Sequence, residues 1–253
     1  MQWSAKQYLK FEKERNIAIF DLVDKIKNQS NVNNILDLGC GPANSTQILQ
    51  ETFINAKILG IDNSLDMLQK AKSKNLKNCN FLQCDVNCEL LEIKEKFDLV
   101  FANASIHWIE NQNKLFKEVF ELLNENGIFA VQLPLGKSSI FHQNLAKLAQ
   151  KYGLDSRVFY ALEAYEYYDI LQNYFKEIQI WQSTYYHILS SLDEVIEWYK
   201  GSGLRPYLEK LDENLHAKFI EELKTTLAPF FPLQKDNSVL LPMSRLFFIA
   251  FKT

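Results

Sequence analysis

A glycine turn and three carboxylates carry the chemistry of this sequence. In the run Ile35-Leu36-Asp37-Leu38-Gly39-Cys40-Gly41-Pro42-Ala43-Asn44-Ser45-Thr46 an apolar stretch ends, a loop turns and a helix begins. Gly39 and Gly41 let the backbone approach a ligand where a Cβ would collide. Asp37 stands just before the loop, Asp62 closes the second apolar run and Asp85 closes the third. A carboxylate about 20 residues beyond the loop suits ribose hydroxyls. An acid at the next strand end can accept from an adenine amino group. Three acids at consecutive strand ends suit a ligand with an adenosine and a cationic group, and they repel a pyrophosphate. The loop also departs from the dinucleotide fingerprint, with Asn44 where the third glycine belongs, and lacks the Gly-Lys-Ser/Thr ending of a P-loop.

Other candidates are sparser. Four arginines, Arg15, Arg157, Arg205 and Arg245, stand among a large excess of lysines, and an arginine fork matches a carboxylate as lysine does not. Arg157 reads as surface. Cys40, Cys79, Cys84 and Cys88 form no CxxC pair and have no histidine nearby, so they read as thiols rather than metal ligands. His107 follows Asn103-Ala104-Ser105-Ile106 and precedes Trp108; a general base and a loop histidine packed on the tryptophan both fit it, the second better.

The elements that must position these groups alternate. A helix pattern covers 5–27, with a strand at 34–38, a helix at 45–52 capped by Asn44 or Ser45, and a strand at 57–61. Ser64 caps a helix to about 74; strands follow at 79–84 and 97–102. A helix over 113–124 closes at Asn126-Gly127, and 128–133 is the fifth strand. Near-continuous apolar strands alternating with helices mean an α/β fold with a parallel sheet covered on both faces. The last third differs. Residues 139–151 are helical and 155–175 are rich in Tyr and Phe. Residues 176–189 and 239–251 read as long antiparallel strands, and the mostly helical 191–230 between them, broken at Gly201-x-Gly203, suits a lid. With 253 residues, 47% apolar and 23% charged, the chain is an ordinary globular one, neither disordered tail nor disulfide scaffold. The net charge of −3 gives no case for nucleic-acid binding. There is no signal-peptide h-region, and no apolar run approaches the ~18 residues of a membrane span, so a cytoplasmic protein is expected.

The residues Asp37-Leu38-Gly39-Cys40-Gly41-Pro42-Ala43 resemble the first motif, (D/E)xGxGxG, of the class I S-adenosylmethionine-dependent methyltransferases. Ala43 replaces the last glycine, which would set the loop slightly further from the cofactor. The resemblance implies a Rossmann-like, seven-stranded, mostly parallel sheet in the order 3-2-1-4-5-7-6, its last strand antiparallel, with helices on both faces and a helical cap. It implies that Gly39, Cys40 and Gly41 line the methionine part, Asp62 holds the ribose, and Asp85 and Val86 the adenine, with Asn63 and Met67 flanking the adenosine. Asp37, Asn44, Asn103, Ser105 and Trp108 join the cofactor set, and Arg15 pairs with the cofactor carboxylate. Helix capping fits Asp85 and Asp62 as well. No metal is implied.

The (D/N)PP(Y/F) signature of enzymes that hold a flipped base is absent, which points to a small molecule or acyl group as acceptor. Phe101–Trp108, Tyr167-Tyr168, the string Thr184-Tyr185-Tyr186-His187, the string Gly203–Leu208 and Arg245 resemble the trans-aconitate 2-methyltransferase family nearly end to end. That implies methylation of one carboxylate of a small polycarboxylic acid. Arg205 in the lid, Arg245, Tyr185, Tyr186 and His187 would hold the acid, with Trp3 and Tyr8 closing over it. No residue is expected to act as catalyst beyond orientation. The expected organisation is a single domain over 1–253, with an N-terminal helical cap at 1–28, a cofactor core at 29–151 and a lid at 190–237. A monomer or weak homo-oligomer is expected. Two other readings stay open: a carboxyl methyltransferase of a carrier-bound acyl chain, and a non-catalytic S-adenosylmethionine binder.

Overall fold

The computed structural model describes residues 11–87, 89–135, 139–155 and 160–253. Seven strands form one sheet: β1 (Asn34–Leu38), β2 (Lys57–Asp62), β3 (Cys79–Gln83), β4 (Phe97–Asn103), β5 (Leu123–Pro134), β6 (Glu177–Leu189) and β7 (Val239–Phe251). Their order is β3-β2-β1-β4-β5-β7-β6. The five strands from β3 to β5 are parallel, and β7 runs antiparallel to both β5 and β6. The order reverses at β1, so the carboxyl ends of β1 and β4 flank the crevice where an open α/β sheet takes its ligand.

The helices are α1 (Glu12–Ile26), α2 (Asn44–Thr52), α3 (Leu65–Ser73), α4 (Gln112–Leu122), α5 (Ile140–Lys151), α6 (Ala164–Leu171), α7 (Leu192–Lys200), α8 (Arg205–Leu208) and α9 (Glu213–Leu227). On one face of the sheet α1 and α2 bury Ile19, Leu22, Ile26 and Leu49 against Ile35, Phe101 and Phe247. On the other, α4 and α6 bring Phe116 and Tyr167 against Phe129 and Phe248, with ring centroids 5.4–5.9 Å apart. Each such side chain contributes about 1.5–3 kcal/mol by leaving water. Ser64 caps α3 as its sequence suggests, its hydroxyl accepting from Met67 N.

Three details differ from the sequence reading. The cap position of α2 falls on Ala43, because the Ser45 hydroxyl is drawn to Asp37 and Asn44 is already helical. The fourth helix stops at Leu122, where the chain turns extended and shifts register against β4 before resuming as a strand, with Asn126 left-handed at φ 62°. Finally, α5 leaves the sheet layer: Phe141, Leu145 and Leu148 join Trp198, Phe219 and Leu223 of α7 and α9 in a separate apolar cluster over the start of β7. The cap is therefore built from α5 as well as from the helices between β6 and β7.

Candidate functional site

The turn after β1 is knit onto the end of β2. Gly39 N and Cys40 N both donate to Ile61 O, at 2.8 and 2.9 Å. Gly41 N donates to Asp62 Oδ2 at 3.0 Å, while Ser64 N donates to Asp62 Oδ1 at 2.8 Å. Asp62 thus braces the loop with one lone pair on each oxygen and keeps others for a ligand. Burial pushes its acidity down, raising its pKa against those bonds. A Cβ on Gly39 (φ +73°) would stand 2.3 Å from Ser105 Cβ, whose hydroxyl donates to Leu38 O at 2.6 Å. Hence glycine is required here to let β1 and β4 approach.

Asp37 is fully buried behind this loop. Its Oδ2 accepts from Ser45 Oγ at 2.8 Å and Thr46 Oγ1 at 2.6 Å. Burial outweighs those two bonds and pushes its pKa up to about 6. It does not line the cavity below, so it acts on a ligand only through the loop it holds. Ala43 is also turned away from the cavity, in left-handed conformation (φ 66°) and fully buried. The departure from the last motif glycine is therefore a matter of backbone strain, about 1–2 kcal/mol for a residue with a Cβ, rather than of distance to a ligand. Ala104, at the end of β4, is similarly strained at φ 50°. Burial and the nearby carboxylates of Asp37 and Asp62 raise the Cys40 thiol, which is an unreactive neutral group.

A cavity of about 250 Å³ opens at the carboxyl ends of the strands. Its first half is lined by Gly39, Cys40, Gly41, Asn44, Asp62, Asn63, Met67, Asp85, Val86, Asn103, Ser105 and Trp108. Asp85 closes a local turn, Oδ1 accepting from Asn87 N at 3.0 Å, rather than capping the short helical turn at 90–92, and it lines the cavity. Arg15 of α1 reaches the rim: its guanidinium lies 4.7 Å from the Trp198 ring centroid and Nη2 donates to Trp198 O at 3.2 Å.

The second half is made by β5, β7 and the cap. Gln132 and Pro134 share a face of β5; Met243 and Arg245 share the matching face of β7, with Pro134 opposite Arg245. His107, His142 and Tyr199 complete the wall. Gln112 holds the 106–109 turn by donating to Ile106 O at 2.8 Å and Ile109 O at 2.6 Å, which aims His107 inward. Burial pushes His107 down to about 3 and His142 down to about 4, with the charge of Arg245 adding to both, so both imidazoles are neutral near pH 7. Three buried polar atoms of cavity residues, Asn103 Oδ1, Gln132 Nε2 and Trp198 Nε1, have no hydrogen-bond partner among the described residues. Buried orphans are uncommon and suit a ligand.

Several expected residues lie elsewhere. Arg205 does not line the cavity and pairs with Glu209 Oε1 through Nε at 2.9 Å, one helical turn on. Tyr185 donates to Asp21 on the outer side of β6, Tyr186 is 64% exposed, and His187 is buried in a stack on Trp198 at 4.7 Å; none lines the cavity. The physical reason is position: β6 is the sheet edge, beyond β7, and its side chains cannot reach past β7 to the switch point. Trp3, Tyr8, Arg157 and Cys88 lie outside the described residues. Sequence reasoning missed Gln132, His142, Trp198, Tyr199 and Met243. Strand alternation toward the end of β5 pointed to Gln132; nothing in the sequence signalled the cap residues. Among the described residues no His, Cys, Asp and Glu cluster could hold a metal ion, and no helix is long and apolar enough to cross a membrane.

Comparison with known proteins fits this geometry. Residues 29–191 match the family model described as a methyltransferase domain. The chain belongs to the S-adenosylmethionine-dependent methyltransferases. The methyltransferase is 35% identical over 249 residues to a trans-aconitate 2-methyltransferase of Enterobacter sp. (strain 638), covering 98% of this chain and 97% of that one. It is 35% identical over 252 residues to the enzyme of the same name from Escherichia coli O157:H7 (strain EC4115), covering 99% and 98%. Among solved structures, it resembles the YcgJ protein of Bacillus (TM-score 0.64, 15% identity, covering 92% of this chain and 97% of that one). It also resembles phosphoethanolamine N-methyltransferase 2 of Haemonchus contortus with S-adenosylmethionine (TM-score 0.57, 19% identity, 92% and 52%). These neighbours share the class I fold. The cofactor of this methyltransferase is S-adenosylmethionine, and its product S-adenosylhomocysteine.

Proposed function

We propose that this methyltransferase forms a methyl ester on one carboxylate of a small polycarboxylic acid such as trans-aconitate. The observation that carries the reading is the single cavity in which the glycine loop and strand-end acids meet a buried arginine, Arg245. The relatives' names point the same way.

When bound, S-adenosylmethionine would supply an electrophilic methyl to a carboxylate oxygen, with its sulfur keeping the electron pair of the broken C–S bond and no proton needing to move. A carboxylate with a pKa near 4 is already ionised at pH 7, so the protein needs no base. Its task is to orient, which for well-aligned reactants reaches effective molarities of roughly 10⁵–10⁸ M. Asp62 takes the ribose hydroxyls and Asp85 the adenine amino group. Val86, Asn63 and Met67 enclose the adenosine, while Gly39, Cys40, Gly41 and Asn44 face the methionine part. Asn103, Ser105 and Trp108 complete that wall, and Arg15 takes the cofactor carboxylate. Arg245 holds the acid. His107, kept neutral, adds a polar edge rather than a base. The chain acts as one domain: a cofactor core, an N-terminal segment that bears Arg15, and a helical cap between β6 and β7. It works on a free small molecule in the cytoplasm, as a monomer or weak homo-oligomer, without metal or nucleic acid.

The test is release of S-adenosylhomocysteine with trans-aconitate, cis-aconitate, isocitrate, citrate and a monocarboxylate. Turnover with the polycarboxylates is expected. Silence on every acid, with S-adenosylhomocysteine still bound, refutes the reading and favours a carrier-bound acyl group; failure to bind S-adenosylhomocysteine refutes the site itself.

A further inference from the structure

The far end of the cavity is lined by buried polar side chains. Gln132 and Arg245 lie on the same face of adjacent strands: Gln132 is opposite Phe247, and Arg245 is opposite Pro134. They are diagonal neighbours whose backbones lie about 7–8 Å apart, close enough for both side chains to reach one ligand carboxylate. Gln132 is 2% exposed, lines the cavity, and its Nε2 donor has no partner among the described residues. A buried donor left without an acceptor is destabilising, and a ligand oxygen relieves it. Arg245 is 7% exposed in the same wall, and buried charge demands ionic company from a ligand or the protein. His107 and His142 face it from the turn after β4 and from α5. Both are uncharged near pH 7, so these four groups present one positive charge, matched to one carboxylate.

We propose that Gln132 and Arg245, flanked by His107 and His142, form a receptor for a carboxylate of the acceptor that is not methylated, and that this receptor selects polycarboxylic over monocarboxylic acids. Arg245 supplies the charge and Gln132 the direction. With that carboxylate seated against β5 and β7, a second carboxylate of the same molecule is carried toward the glycine loop and the methyl. The assignment rests on the carboxylate reading above and deepens it: Gln132, which no motif singles out, becomes a specificity residue.

The experiment compares kcat and KM for trans-aconitate and for a monounsaturated monocarboxylate of similar length. It uses the wild-type enzyme, Gln132→Met, Arg245→Lys and Arg245→Gln, with S-adenosylhomocysteine affinity measured on each as the check of fold. Wild type is expected to favour the polycarboxylate by about 100-fold or more in kcat/KM, the scale of charge-assisted bonds to one carboxylate. Gln132→Met is expected to raise KM for trans-aconitate by about tenfold, the loss of one such bond, with S-adenosylhomocysteine affinity kept. Arg245→Gln is expected to bring the preference toward unity. If that variant fails to fold, Arg245→Lys, which keeps the charge and loses the fork, is expected to reduce it partly. Equal wild-type turnover of the two acids overturns the receptor, as do variants that slow both acids in the same proportion. Silence with all acids is a different result: it overturns the carboxylate reading, and the receptor with it.

Discussion

Replacing Gly39 by alanine tests the geometry of the glycine loop at one atom. The new Cβ would stand 2.3 Å from Ser105 Cβ and 3.0 Å from Ser105 Oγ. Neither Cβ can rotate away, since each is fixed to its backbone, so β1 and β4 must part by roughly 1 Å, an overlap of about 1–3 kcal/mol. The left-handed conformation at φ +73° adds about 1–2 kcal/mol for a residue with a Cβ. Gly39→Ala alone is therefore expected to lose about 2–5 kcal/mol of stability, the sum of those two terms. Ser105→Gly alone loses the hydroxyl bond to Leu38 O, about 1 kcal/mol. In the double variant the nearest remaining atom is Ser105 Cα, at 3.7 Å, an ordinary contact. The overlap should vanish and the left-handed strain remain, giving a favourable coupling of about 1–3 kcal/mol. Urea unfolding of the four proteins reads the cycle, and calorimetry with S-adenosylhomocysteine should show binding weakened about tenfold in Gly39→Ala, or 1.4 kcal/mol. Additivity within about 0.5 kcal/mol would refute the contact as the reason for glycine.

Two further outcomes follow from the electrostatics. Because His107 and His142 are held at about 3 and about 4, below the ordinary 6.5, the unfolded chain binds protons that the folded chain refuses as the pH falls below 6.5. At pH 5 each contributes a loss of about 2 kcal/mol, while Asp37, pushed up to about 6 from 3.8, takes a proton when folded and returns about 1.4 kcal/mol. Through these three groups stability should thus fall by about 2.6 kcal/mol from pH 7 to pH 5, read by urea unfolding at both, and stability that is level or rises on acidification would contradict neutral burial of the two imidazoles. Arg205→Ala removes a partly exposed ion pair with Glu209 outside the cavity, so turnover and S-adenosylhomocysteine affinity should stay within about twofold of wild type; a collapse of turnover would place Arg205 at the acceptor after all.

The cofactor half of this protein was legible in its sequence because it is local. A strand, a tight turn and a helix lie within a dozen consecutive residues, and the acids stand at strand ends that alternation marks out. Parallel strands bring those ends to one edge whatever the details of packing, so Gly39, Gly41, Asp62, Asp85 and Met67 could be placed together from spacing and resemblance. The sheet order, by contrast, came from the family resemblance, since alternation alone does not say which strands are neighbours. Asp37 shows the limit of that logic. Its type and position were readable, but only the packed structure turns its carboxylate toward Ser45 and Thr46 and away from the cavity.

The acceptor half depends on contacts between segments far apart in the chain. Of the two arginines proposed for it, both near aromatic strings, only Arg245 reaches the cavity. The difference is made by β7 lying inside β6 in the sheet, and by α8 turning Arg205 toward Glu209. The string Tyr185-Tyr186-His187 falls on the edge strand, where alternation sends side chains to solvent, to α1 or under Trp198, and never to the switch point. Gln132, His142 and Tyr199 come from a strand and two cap helices that meet only after folding. No local pattern encodes that meeting, because the energy that drives it is the non-directional burial of Phe141, Trp198 and Phe219 in the cap. Periodicity and spacing therefore determined the strands and the cofactor loop, and the family resemblance the sheet order, whereas long-range packing alone decided which polar groups face the acceptor.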